Sequence, residues 1–111
     1  MILGYLNVNL LDAQIGTVTT GPVDVRGFTQ ITAYLYGTGT VSGGTVKLSE
    51  AHDGAYAGTW SDIDVTLTPS TVTGGAVQAN ALPLGGYGFI RAQVTGAITG
   101  GGSIGIQLVG C

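Results

Sequence analysis

Ionised side chains are scarce in this 111-residue chain: three basic and six acidic residues make up only 8% of it, where an ordinary soluble domain carries about 25%. Ordinary monomers use such charges to stay soluble and to keep sheet edges apart. Giving them up implies a surface that faces other protein; the alternative is a neutral monomer solvated by Thr, Ser, Asn and Gln. The scarcity also excludes a nucleic-acid partner. Only Arg26, Lys47 and Arg91 are available for phosphates in a chain of net charge −3, and backbone-driven binding recruits about six or more such contacts. No apolar run approaches the ~18 residues of a membrane span. The start, Met1-Ile2-Leu3-Gly4-Tyr5-Leu6-Asn7, has no basic stretch and is broken by Asn7, so no signal peptide is expected. Met1 running straight into strand-like sequence suggests a complete short reading frame.

Cysteine is nearly absent as well. Cys111 is the single thiol and the final residue, so no internal disulfide holds the fold, and a free thiol on a frayed terminus is expected in preference to an intersubunit bridge. One histidine, His52, sits beside Asp53-Gly54. With no Gly-x-Ser-x-Gly elbow and a terminal cysteine, it reads as a solvated turn residue and not as part of a catalytic set. The chain is therefore expected not to be an enzyme. Gly100-Gly101-Gly102 leads into a strand and not into a helix that could hold phosphate. Glu50, Asp53, Asp62 and Asp64 are the only acidic grouping. Their spacing matches no calcium loop, so neither metal nor cofactor is expected.

What the chain has is glycine, 21 residues of it, set among β-branched residues without helical periodicity, a mixture that suits strands and tight turns. Alternation is strict in several segments. Thr29–Tyr36 turns Ile31, Ala33 and Leu35 one way and Thr32, Tyr34 and Tyr36 the other; Thr45–Ser49 turns Val46 and Leu48 inward. Tyr87–Thr95 does the same with Ile90, Ala92 and Val94, opposite Phe89, Arg91 and Gln93, and Ser103–Leu108 with Ile104, Ile106 and Leu108. Further strands are expected at Leu6–Leu11, Thr17–Thr20, Val23–Val25, Trp60–Thr66 and Val77–Leu82, separated by Gly-, Thr- and Asp-rich turns. One-sided alternation in about eight or nine short strands predicts an all-β antiparallel two-sheet sandwich, jelly-roll-like, with little or no helix. The length allows a single domain over residues 1–111, with residues 1–6 as an extended N-terminal arm. Trp60 is expected in the core between the sheets.

The aromatic residues Tyr5, Tyr34, Tyr36 and Tyr56 are the candidate contact residues, since tyrosine anchors protein interfaces and also stacks on sugar rings. The apolar Met1, Ile2 and Leu3 join them, because such a segment is costly to leave in water.

Two stretches resemble bacteriophage virion proteins. Ser49-Glu50-Ala51-His52-Asp53-Gly54, then Thr59-Trp60-Ser61-Asp62-Ile63, is similar to a strand closing on Asp-Gly followed by a Trp-led strand. Leu82 to Gly96, with its aromatic, Arg and Val-Thr-Gly turn, is similar to the closing strand pair of those proteins. The inserted Ala55-Tyr56-Ala57-Gly58 departs from the pattern and predicts a protruding loop. The family resembled is the capsid decoration, or cement, proteins. That resemblance implies a small sandwich on the outside of an assembled virion capsid, made in the host cytoplasm, bound to the major capsid protein and self-associating as a homotrimer. Alternatives are a phage tail structural protein and a carbohydrate-binding module for host recognition.

Overall fold

The computed structural model describes residues 5–83 and 87–111; Met1, Ile2 and Leu3, most of the expected arm, and the Gly85-Gly86 turn lie outside the described residues. Alternation of apolar and polar side chains produces the strands. In β4 (Ile31–Thr38) every second residue from Ile31 is buried, and in β8 (Phe89–Thr99) Ile90, Ala92 and Val94 are buried while their neighbours are partly exposed. The other strands are β1 (Leu6–Gln14), β2 (Val18–Thr19), β3 (Val23–Asp24), β5 (Gly43–Ala51), β6 (Ser61–Asp62), β7 (Val77–Ala81) and β9 (Ser103–Gly110).

Among the described residues the strands pair antiparallel throughout, and they build two sheets. One has the order β1-β9-β4-β7; the other has the order β2-β8-β5-β6, with β3 also on β8. Apart from β2–β3 and β5–β6, which stay within one sheet, successive strands cross between the two sheets in the jelly-roll manner. β2 and β3 lie along the same edge of β8 and are interrupted at Gly21-Pro22, where proline has no N–H to give a ladder. The inner faces form one apolar cluster in which Leu35, Leu48, Ile90, Ile106 and Leu108 are wholly buried. Ile31, Val46, Val94 and Ile104 are buried in the same cluster.

Four sequence expectations change in detail. The strand expected over Trp60–Thr66 is only the two-residue β6, because Ile63 N–H donates to Leu48 O and Val65 N–H to Ile63 O, which turns the chain away from β5. A 3-10 helix, Pro69–Gly75, follows where the sequence predicts no element. It starts on Pro69, whose fixed φ suits a first helical turn, and packs Val72 against Gly37, where any side chain would strike the Val72 carbonyl. The C-terminus is tied down: Thr29 and Gln30 N–H donate to Cys111 O at 3.1 and 3.3 Å, and Cys111 N–H donates to Gln30 O at 3.0 Å. Its thiol is free and exposed.

The fourth concerns Trp60. Its ring is buried, yet it stands outside the cluster between the sheets. It covers the outer side of the second sheet, with the Arg91 guanidinium 4.4 Å from its centroid and its Nε1–H donating to Tyr56 O at 3.0 Å. Arg91 alternates with the inward Ile90 and Ala92 and so points away from the core. Ser49, paired with Arg91 in register, is buried on that same outer side and accepts from Arg91 Nε at 3.4 Å.

Candidate interaction surface

The two sheets present different outer surfaces. Of the chain's three basic and six acidic residues, only Asp12 belongs to the four-stranded sheet. The outward positions are Asn7 and Asn9 on β1, Gly105, Gln107 and Val109 on β9, Thr32, Tyr34 and Tyr36 on β4, and Val77, Ala79 and Ala81 on β7, as their registers require. None is ionisable at neutral pH.

Tyr36 is the fixed point of this surface. It pairs directly with Gly105, and a Cβ on Gly105 would collide with the Tyr36 ring. The ring thus lies across the bare backbone of β9 toward β1, an arrangement in which an aromatic covers a strand glycine. Its hydroxyl reaches Leu11 O at 3.4 Å and Asp12 Oδ1 at 3.5 Å. Partial burial, and then the nearby Asp12 charge, push the Tyr36 phenol above its ordinary pKa. Tyr34, Tyr36, Gly37, Gly75, Val77 and Gln107 line a shallow groove there. The Gln107 amide donates to Asn7 Oδ1 and braces the β9–β1 side.

Tyr5, 69% exposed, immediately precedes β1. Tyr56 stands apart from the other candidate tyrosines. It belongs to the loop after β5 on the opposite sheet, where its ring packs tilted against His52 with centroids 5.0 Å apart. That loop is exposed but bonded within itself: Tyr56 N–H donates to Asp53 O, Ala55 N–H to Asp53 Oδ1, and Trp60 to Tyr56 O.

The second sheet gathers the charges. Arg26 pairs with Asp24 at 2.8 Å and lies 4.9 Å over Phe89, and Lys47 pairs with Asp62 at 3.0 Å. The Arg26 hydrogen bonds hold the Asp24 carboxyl down to about 2. The acidic grouping read from the sequence is dispersed: Asp62 is paired to Lys47, and Asp53 caps its own turn. Among the described residues no three His, Cys, Asp or Glu side chains converge on a metal position. Trp60, covered by Arg91, offers no free face to a sugar ring.

The sequence sets Tyr34 and Tyr36 on one face of a strand, and the structure places Gln107, Val77, Ala79, Ala81 and Val109, not among the expected contact residues, on the same face. Their signal was present as the polar or small half of each alternation; which strands lie side by side is what alternation does not tell.

No family model matches the chain, and no curated protein matches it. Among solved structures it is similar to the crystal structure of the SPBc2 prophage-derived protein YomS. The TM-score is 0.70 at 14% identity, covering 99% of this chain and 95% of that one. The likeness is one of fold over nearly the whole length of both chains.

Proposed function

We propose that the chain is a structural virion protein that binds the outside of an assembled phage capsid and stabilises it. The observation that carries this reading is the outer surface of the four-stranded sheet, where Tyr34, Tyr36, Val77 and Val109 stand among amides and small residues, with Asp12 at the β1 edge as the one charge. Ordinary surfaces set about 25–35% charged residues on such positions, and tyrosine without charge is the composition of an interface centre. The sandwich shared with a prophage-derived protein and the motif resemblance to decoration proteins point the same way. Fold alone would not assign a role, since jelly rolls serve capsids and lectins alike.

The mechanism needs no reaction. A protein with affinity for the assembled shell and none for its dissociated subunits lowers the free energy of the shell by mass action, about 2.7 kcal/mol per site at a hundredfold excess over Kd. Contacts of standard size bury about 1,600 Å² in total, and symmetry repeats them over every copy. An electron-microscopy map of the particle encoded with this chain tests the reading. Sandwich-shaped density on the outer shell, bound through the β4–β9 surface, is expected; density in the tail, or none, would overturn it.

A further inference from the structure

The edges of the two sheets are protected unequally. β1, one edge of the four-stranded sheet, is broken by two register shifts, between Asn9 and Leu11 and between Leu11 and Gln14, the second with Ala13 at φ 52°. Such bulges prevent a further strand from pairing. In the second sheet the β6 edge is two residues long and carries Asp62, and the opposite edge is interrupted by Pro22 and carries Asp24. β7 has none of these devices. It is five residues in unbroken register, Val77 to Ala81, with no proline and no charge.

Its hydrogen bonds fix which way the free groups point. Leu82 N–H donates to Ile31 O at 2.8 Å and Gly37 N–H donates to Ala76 O at 3.4 Å. In an antiparallel ladder the bonded residues alternate, so Asn80 and Gln78 bond β4 through Ala33 and Leu35. The N–H and C=O groups of Val77, Ala79 and Ala81 therefore point away from the sheet, and among the described residues no backbone partner meets them. The inner side chains of this strand are already held: the Gln78 and Asn80 amides both donate to Thr66 O.

We infer that β7 pairs antiparallel with β7 of a second copy, about a two-fold axis at Ala79. The segment is complementary to itself in that register. Ala79 faces Ala79 of the other copy, and Val77 faces Ala81, so all six outward groups find partners. No like charges meet, which would not hold for a copy-to-copy contact at Asp62 or Asp24. The two charge-poor sheets join into one of eight strands, doubling the nearly uncharged surface that a shell would meet. A three-fold association, as the capsid resemblance implies, would require β7 to enter a different edge, and those edges are bulged, interrupted or charged. The pairing goes beyond the capsid reading and stands or falls without it.

Light scattering on the purified chain tests it. The expected mass is twice the 11.1 kDa of the chain, falling to that of the monomer on dilution. Ala79→Pro removes an N–H that β4 does not use, so the monomer ladder survives. This variant is expected to stay monomeric while keeping the wild-type circular dichroism. In a Cys111→Ser background, Ala79→Cys is expected to be captured as a disulfide dimer on mild oxidation, since bonded cross-strand pairs stand about 5.5 Å apart at Cα. Val77→Cys, facing Ala81 of the other copy, is expected to be captured at least tenfold less. A monomer at every concentration, a trimer, an undiminished dimer in folded Ala79→Pro, or equal capture of the two cysteine variants would each overturn the pairing.

Discussion

Gly105→Ala combined with Tyr36→Ala tests whether the Tyr36 ring is the fixed point of the charge-poor surface. A Cβ at residue 105 lands within the Tyr36 ring, at Cζ, Cε2 and the hydroxyl, so the ring must lift from β9 and give up its reach to Leu11 O. Overpacking of this kind costs about 1–3 kcal/mol. Replacing a strand glycine by alanine returns roughly 0.5–1 kcal/mol, which leaves Gly105→Ala destabilising by up to about 2.5 kcal/mol. Tyr36→Ala alone loses part of a ring and costs about 2 kcal/mol, below the 3–5 kcal/mol of a fully buried aromatic. With the ring gone, alanine at 105 meets open space, and its effect should reverse to a gain of about 0.5–1 kcal/mol. The glycine gain cancels between the two backgrounds, so the cycle predicts a coupling of roughly 1–3 kcal/mol, within the range found for residues in contact. Urea denaturation followed by fluorescence reads it, because Trp60, the chain's single tryptophan, sits on the other sheet and is undisturbed by either change. An Ala79→Pro background keeps association out of the measured stability. Additivity within about 0.5 kcal/mol would refute the packing of Tyr36 on Gly105.

Two further outcomes can be checked on the same material. Ala13 holds φ 52° at the second β1 bulge, a conformation costing a non-glycine residue about 1–2 kcal/mol; Ala13→Gly should stabilise by about 0.5–1 kcal/mol after the entropy of glycine is subtracted, raising Tm by a few degrees, and a lowered Tm would show that the bulge does not strain Ala13. Asp24, held at about 2 by Arg26, should titrate in carboxyl NMR well below the ordinary ~3.9. Because the folded pKa is lowered, its contribution is present above pH ~4 and is lost as the pH falls toward 2. Arg26→Gln should bring the titration back toward 3.9 and flatten stability over that window, and an unchanged titration would contradict the ion pair.

The inward half of this fold was readable because burial on one face of a strand imposes a period of two. Ile31, Leu35, Val46, Leu48, Ile90, Val94, Ile104, Ile106 and Leu108 all lie in the inter-sheet cluster. Period alone does not say where a strand stops. The chain leaves β5 at Ile63, through the three-residue turn Ile63-Asp64-Val65 without glycine or proline, and the alternation over Trp60–Thr66 carries no sign of it. Nor does size decide side: Trp60 is buried by Arg91 and the Tyr56 carbonyl on the outside of a sheet, from partners 31 residues ahead and 4 behind in the chain. The outer surface around Tyr36 was half legible. Alternation set Tyr34 and Tyr36 apart from Ile31 and Leu35, but Gly105 and Gln107 join them only because β9 lies between β1 and β4.

A low charge count by itself fits a neutral monomer as well as a subunit. What separates the two is how the edges are treated. A monomer must close every strand edge against its own copies, and this chain spends a bulge pair, a proline and aspartates on three of its four edges. Selection for solubility as a monomer would have treated β7 the same way, since one lysine in place of exposed Ala79 or Val77 would suffice and disturb no core contact. Val77 is instead 60% exposed and apolar. An edge left open beside a sheet with a single charge, when the others are closed, is what association through that one edge requires. The same comparison yields its own check: lysine placed at Ala79 should leave the monomer fold intact and abolish association, whereas lysine at Asn9 on the bulged β1 edge should leave association as it was.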